Sequence, residues 1–208
     1  MSGIISDNQG RSSGLVKAAA AGGGAWNLIK TLTSDGSDAD LSFVNGASDV
    51  VLDGTYITYC FVFVNIHIET ADQHFGFNGS IDGGSNYNVT KTTSLFRANH
   101  SEAASSNLTY DTAFDIASGT GFANIMTYME AASADATGSG MLYLYNPAST
   151  TYMKNWHYIN THEQVSDVLY HFLGSGYFNT TSAINAIQFK CSSGEIQGGK
   201  ISLYGIST

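Results

Sequence analysis

The chain has 208 residues, of which 43% are hydrophobic and 12% charged, with a formal net charge of −9. That length and apolar share support one globular core without disulfides or metal, because a chain of this size buries roughly 70% of its unfolded surface. Eight scattered Lys and Arg residues against seventeen acidic ones argue against nucleic acid and anionic membranes as partners, since both select clustered basic side chains.

Residues 1–24 read as a flexible N-terminal docking arm, and 25–208 as one folded domain. The tract 18–24 is four Ala followed by three Gly, a low-complexity run. Ahead of it, Ile4, Ile5, Leu15 and Val16 flank a polar turn at 6–14. Four aliphatic side chains on a mobile tail need a surface to bury against, so they are expected to dock, with Arg11 and Lys17 facing acidic groups on that surface. The arm carries +1 and the remainder −10, which confines the acidity to the body.

From Trp26 onward, strand patterns alternate with turns. The first strand is predicted at 26–32, closed by Ser34-Asp35-Gly36. The clearest one spans 56–69. Its first half is apolar on both faces; in its second half Val62, Val64, Ile66 and Ile68 share one face and Asn65, His67 and Glu69 the other. In 74–81, Phe75, Phe77 and Ile81 are expected inward and His74, Asn78 and Ser80 outward, before the turn Asp82-Gly83-Gly84. Further strands are expected at 87–95, 108–114, 121–129, 141–145, 152–159 and 165–173. The last two, 184–191 and 200–206, flank a hairpin-like connection at 192–199, with Ile187, Phe189, Cys191, Ile201 and Leu203 inward. Short Ala/Ser-rich stretches at 97–106 and 128–135 are the best helix candidates. So many strands without parallel crossovers predict an all-β antiparallel sandwich or barrel, with Phe61, Val62, Phe63, Val64, Phe75, Phe77, Ile187, Phe189, Ile201 and Leu203 in its core.

Catalytic and metal signatures fail on their spacing. Gly10-Arg11-Ser12-Ser13-Gly14 has the nucleophile-elbow pattern but lies in the arm rather than between a strand and a helix. His162-Glu163 begins a zinc-protease motif that has Ser166 in place of the second histidine. Gly174-Ser175-Gly176 and Gly119-Thr120-Gly121 lack a third glycine and read as turns. Asp35, Asp38 and Asp40 lack the closing Glu of a calcium loop, and Asp111 with Asp115 does not amount to a glycosidase pair. His67, His74, His157, His162 and His171 are dispersed over several strands with no zinc spacing. Cys60 and Cys191 lie in apolar runs and read as buried, reduced thiols. No apolar leader follows Met1, so the sequons at Asn78, Asn88, Asn99, Asn107 and Asn179 read as products of an Asn/Ser/Thr-rich composition. No catalytic residue, cofactor or metal is expected, and the chain is not expected to be an enzyme.

Both ends carry a resemblance. The opening Gly3-Ile4-Ile5-Ser6-Asp7-Asn8-Gln9-Gly10-Arg11-Ser12-Ser13-Gly14-Leu15-Val16-Lys17 resembles the N-terminal segment of structural proteins of marine bacteriophage particles. Ile184-Asn185-Ala186-Ile187-Gln188-Phe189-Lys190 with Gly199-Lys200-Ile201-Ser202-Leu203-Tyr204-Gly205-Ile206 resembles their terminal hairpin. Phe63-Val64-Asn65-Ile66, Asp82-Gly83-Gly84 and Tyr145-Asn146-Pro147 match in layout. The resemblance implies a jelly-roll-like fold, trimers, and a place on the virion as a capsid decoration (cement) protein or a tail-fibre component. It transfers no catalytic residues. A low charge density and many outward Tyr, Thr and Asn also suggest a homotrimer, because such surfaces associate without repulsion.

The first expectation is a head decoration protein on the outer capsid surface, made in the host cytoplasm and anchored through Ile4, Ile5, Arg11, Leu15, Val16 and Lys17. Its partners would be itself and the major capsid protein or another virion protein. The alternative is a short tail-fibre or receptor-binding module, whose exposed Tyr and Trp would bind host glycans. The chain has no coiled-coil or repeat stalk of the kind a long trimeric fibre needs, which favours the first.

Overall fold

The computed structural model describes residues 25–207. The chain there is all-β and antiparallel, with strands β1 (Trp26–Thr33), β2 (Leu41–Val44), β3 (Thr58–Ile68), β4 (Gln73–Ser80), β5 (Lys91–Ser101), β6 (Ser106–Tyr110), β7 (Ala123–Met129), β8 (Gly138–Tyr145), β9 (Lys154–Gln164), β10 (Val168–Phe178), β11 (Ala186–Cys191) and β12 (Ile196–Ile206). Eight of them make a jelly-roll sandwich. The orders β1-β12-β3-β8 and β7-β4-β11-β2 are those of two interlocked Greek keys. Two further hairpins, β5-β6 and β9-β10, are inserted between these strands. They pair with each other through β10 and β5, and β9 pairs with β8, so the first sheet widens to β1-β12-β3-β8-β9-β10-β5-β6. At one corner Met129 of β7 pairs with Gln164 of β9, which nearly closes the sandwich into a barrel.

The core follows from alternation. Phe61 and Phe63 point inward from β3, and Phe43, Phe75, Phe77 and Phe189 from the opposite sheet, all fully buried. Phe189 is the hub: its ring centroid lies 5.2 Å from both Phe61 and Phe63, 6.0 Å from Phe75 and Phe77, and 6.3 Å from Phe43. Mostly edge-on or tilted packing suits the aromatic quadrupole. The core continues beneath the added hairpins, where Trp156 meets Phe77 at 4.9 Å and Tyr158, Tyr170, Phe172 and Phe178 are buried. Gly174 leaves the room that Tyr158 needs, since a Cβ there would lie 2.3 Å from the phenol ring.

Several expectations are corrected. The face assigned to the second half of β3 is broken by a bulge: Asn65 adopts φ 54°, and the register with β8 slips between Phe63 and Ile66. One extra residue switches side-chain parity. Ile66 and Ile68 therefore join Phe61 and Phe63 inside, while Val62 and Val64 are only half-buried on the outer face. Gly199 on β12 fits this bulge at φ 98°, where a Cβ would meet the Asn65 carbonyl oxygen at 2.4 Å. On β4, Asn78 and Ser80 are buried, because neighbouring loops cover that face; the Asn78 amide donates to the Tyr87 and Thr120 carbonyls, and the Ser80 hydroxyl donates to Asp82. Ile81 is exposed instead. The helix candidate at 97–106 is the end of β5 and a turn, and that at 128–135 is the end of β7 and its exit loop. Gly174-Ser175-Gly176 lies within β10 rather than in a turn.

Candidate functional site

The arm residues Ile4, Ile5, Arg11, Leu15, Val16 and Lys17 lie outside the described residues. The chain enters the fold at Ala25, whose carbonyl accepts from the Ser207 N–H, and Trp26 pairs with Ile206. Ala25, the first described residue, therefore sits at the edge of the widened sheet.

The outer face of that sheet is the most distinctive surface of the domain. Strand registers align its side chains into rows running across the strands. One row is aromatic. Tyr204, Cys60, Tyr143 and His157 are successive neighbours across β12, β3, β8 and β9. Tyr143 stacks on His157 at 4.9 Å, and the Tyr145 hydroxyl lies 3.1 Å from His157 Nδ1. Trp26 packs edge-on against Tyr204 and Tyr143 at 5.6 and 6.1 Å. Cys60 is buried within this row, and burial pushes its thiol up to about 12.

The next row is aliphatic and aromatic. Met141, Ile159, Leu173, Phe96 and Tyr110 stand directly opposite one another across β8, β9, β10, β5 and β6. All five are exposed, at 37%, 39%, 50%, 50% and 44%. Leu108 lies beside the row on β6 and is 74% exposed. Around it, the outward positions are mostly Ser, Thr, Asn, Tyr and His, with Ala98 on β5 and the exposed Leu169 toward one end of β10. The one formally charged outward residue on these five strands is Glu163, near one end. Its carboxyl is pushed upward by burial first, and then by Asp167, Asp135, Glu130 and Glu102.

The inner side of the same hairpins holds the polar groups that the sequence singled out. His162 is buried, its Nε2 2.9 Å from the Thr127 carbonyl, and Arg97 is nearby. Burial lowers its imidazole to about 4, so the ring is neutral at pH 7. Arg97 pairs with Asp111 at 3.2 Å and lies 4.6 Å over Tyr170, while Asp115 accepts from the Tyr110 hydroxyl. The Lys91 and Lys154 ammonium groups are buried and donate to loop carbonyls: Lys91 to Gly121, and Lys154 to Thr180 and Ser182. The two lysines are satisfied by backbone carbonyls, whereas Arg97 Nε, Asp115 Oδ1 and His162 Nδ1 are buried without a hydrogen-bond partner among the described residues. Asp38 and Asp35 cap their own turn. Among the described residues, no three His, Cys, Asp or Glu side chains group as a metal site would require.

Sequence reasoning located the strands carrying the apolar row but not the row. Each strand supplies one residue to it from an outward face that is mostly polar, and the register joins them. Comparison with protein-family models, with curated proteins and with solved structures finds no match to this chain.

Proposed function

We propose that this chain is a structural component of a bacteriophage particle, a head decoration protein that self-associates as a homotrimer and is anchored to the capsid shell by residues 1–24. The observation that carries this reading is the widened sheet itself. It turns an open, almost uncharged face with an apolar centre to solvent, which suits protein contact better than a small ligand, because ligand sites are concave. The resemblance at the two chain ends points the same way, and jelly rolls recur in viral capsid proteins.

A second reading has its own observation. The strip formed by Trp26, Tyr204, Tyr143 and His157 offers ring faces and polar tips of the kind on which sugars stack, which favours a tail-fibre or receptor-binding module.

The test is reconstitution on particles that lack the protein, using the full chain and a form deleted of residues 2–17, followed by imaging. The full chain is expected to occupy the head surface, and the truncated form to stay folded but in solution. Density at the tail would replace the first reading by the second. Normal head occupancy by the truncated form would show that the arm is not the anchor.

A further inference from the structure

We propose that a second copy of this chain docks on the outer face of β8-β9-β10-β5-β6, with Met141, Ile159, Leu173, Phe96 and Tyr110 at the centre of the contact. This rests on the self-association reading above and deepens it by naming the face.

Size is the first argument. At neighbouring-strand spacing the five side chains form a continuous band about 19 Å long. With Leu108 they present roughly 500 Å² of side-chain surface, at the upper end of what a monomer leaves uncovered in one patch. A standard protein–protein interface takes about 800 Å² from each partner, so this band with its polar surroundings is large enough to be one.

Charge identifies the occupant. Residues 25–208 carry six basic and sixteen acidic groups, so two copies repel over most of their surface. The row and its neighbours carry far less charge: Asp115 accepts from the Tyr110 hydroxyl at one end, and Glu163 lies with Glu102 and Asp167 off to one side. A basic partner would select the acidic surface and gain nothing from this face. A second copy is acidic too, and the face with the fewest charges is the one on which it approaches at the lowest electrostatic cost. An apolar centre with a polar rim of Ser, Thr, Asn and His is the usual anatomy of such contacts. The edge of β6 adds to the argument: among the described residues Ser106–Tyr110 pairs with β5 alone, and a copy seated over the row also covers that edge.

The test is sedimentation velocity of the full chain across micromolar concentrations, with Leu173→Glu and Phe96→Ser on the row and Ile57→Glu off it. Ile57 is 58% exposed and precedes β3, so it controls for added charge. The wild type and Ile57→Glu are expected to sediment as one oligomer. Leu173→Glu buries an unpaired charge in the contact and is expected to weaken association on the order of a hundredfold. Phe96→Ser is expected to weaken it as well. Oxidation of Met141 by hydroxyl radicals should fall as wild-type concentration rises, a measurement that needs no variant. An oligomer unchanged by either row variant, with Met141 still accessible, would overturn the face while leaving self-association standing. A wild type that stays monomeric throughout would overturn both.

Discussion

The buried imidazole of His162 makes the stability of this fold fall in mild acid by a predictable amount. Its Nε2 is held by Thr127 of β7, Tyr170 and Phe172 contact the ring edge-on, and Nδ1 has no partner among the described residues. A proton added at Nδ1 would therefore be buried without an acceptor and close to Arg97. The folded value is about 4 against 6.5 for the free side chain, so between these values the unfolded chain binds the proton more readily. Stability from this group is fully present above about pH 6.5 and is lost as pH falls toward 4. At 1.36 kcal/mol for each pH unit of difference, the loss is about 3 kcal/mol, a large fraction of the 5–15 kcal/mol that ordinarily separates folded from unfolded chains. Urea unfolding of the wild type and His162→Gln across this window isolates the effect. The carboxylates contribute equally to both proteins: Asp82, held at about 2 by Asn86 and Ser80, and Glu163, pushed upward, cancel in the difference. The wild type should lose about 3 kcal/mol relative to the variant between about pH 7 and pH 4. A difference that stays flat over that range would refute the reasoning, because it would mean that the ring is protonated or solvated in the folded state.

Phe189→Ala removes the ring shared by five other phenylalanines across both sheets and should destabilise by about 3–5 kcal/mol, lowering Tm by roughly 10 °C in a thermal melt. Gly199→Ala forces a Cβ to 2.4 Å from the Asn65 carbonyl oxygen at a positive φ and should cost more than about 2 kcal/mol. Gly46→Ala, also at positive φ but with nothing within 4 Å, should cost about 1 kcal/mol, and equal costs in denaturant unfolding would contradict the steric argument. Cys60 and Cys191 are both buried with thiols pushed up to about 12, so a thiol reagent at neutral pH should leave them unmodified until denaturant exposes both; rapid labelling of either in the native protein would count against that packing.

Local pattern alone determined the class of this fold. Scarce charge, abundant Tyr and Phe, and two-residue alternation make strands whose inner residues are readable one strand at a time: Phe75 and Phe77, Ile187 and Phe189, and Ile201 and Leu203 are all inside as alternation requires. Alternation is a property of a strand's own neighbours, so it survives without knowledge of what the strand pairs with. It failed where a contact distant in sequence intervened. The bulge at Asn65 depends on Gly199 across the sheet, and one inserted residue reverses the faces of Val62 and Val64 relative to Ile66 and Ile68. Asn78 and Ser80 have an outward pattern but are buried: the 120–121 loop and Tyr87 accept from the Asn78 amide, and the turn that follows β4 folds back to accept from the Ser80 hydroxyl through Asp82. The apolar row was decided by tertiary structure in the strictest sense. Phe96, Ile159 and Leu173 each stand on a different strand whose outward face is mostly polar, and they become a continuous surface because hydrogen-bonded register sets them side by side. Hairpins join Ile159 to Leu173 and Phe96 to Tyr110 locally, but the pairing of β10 with β5 that unites the two hairpins spans a long stretch of chain, and no short window of sequence contains it.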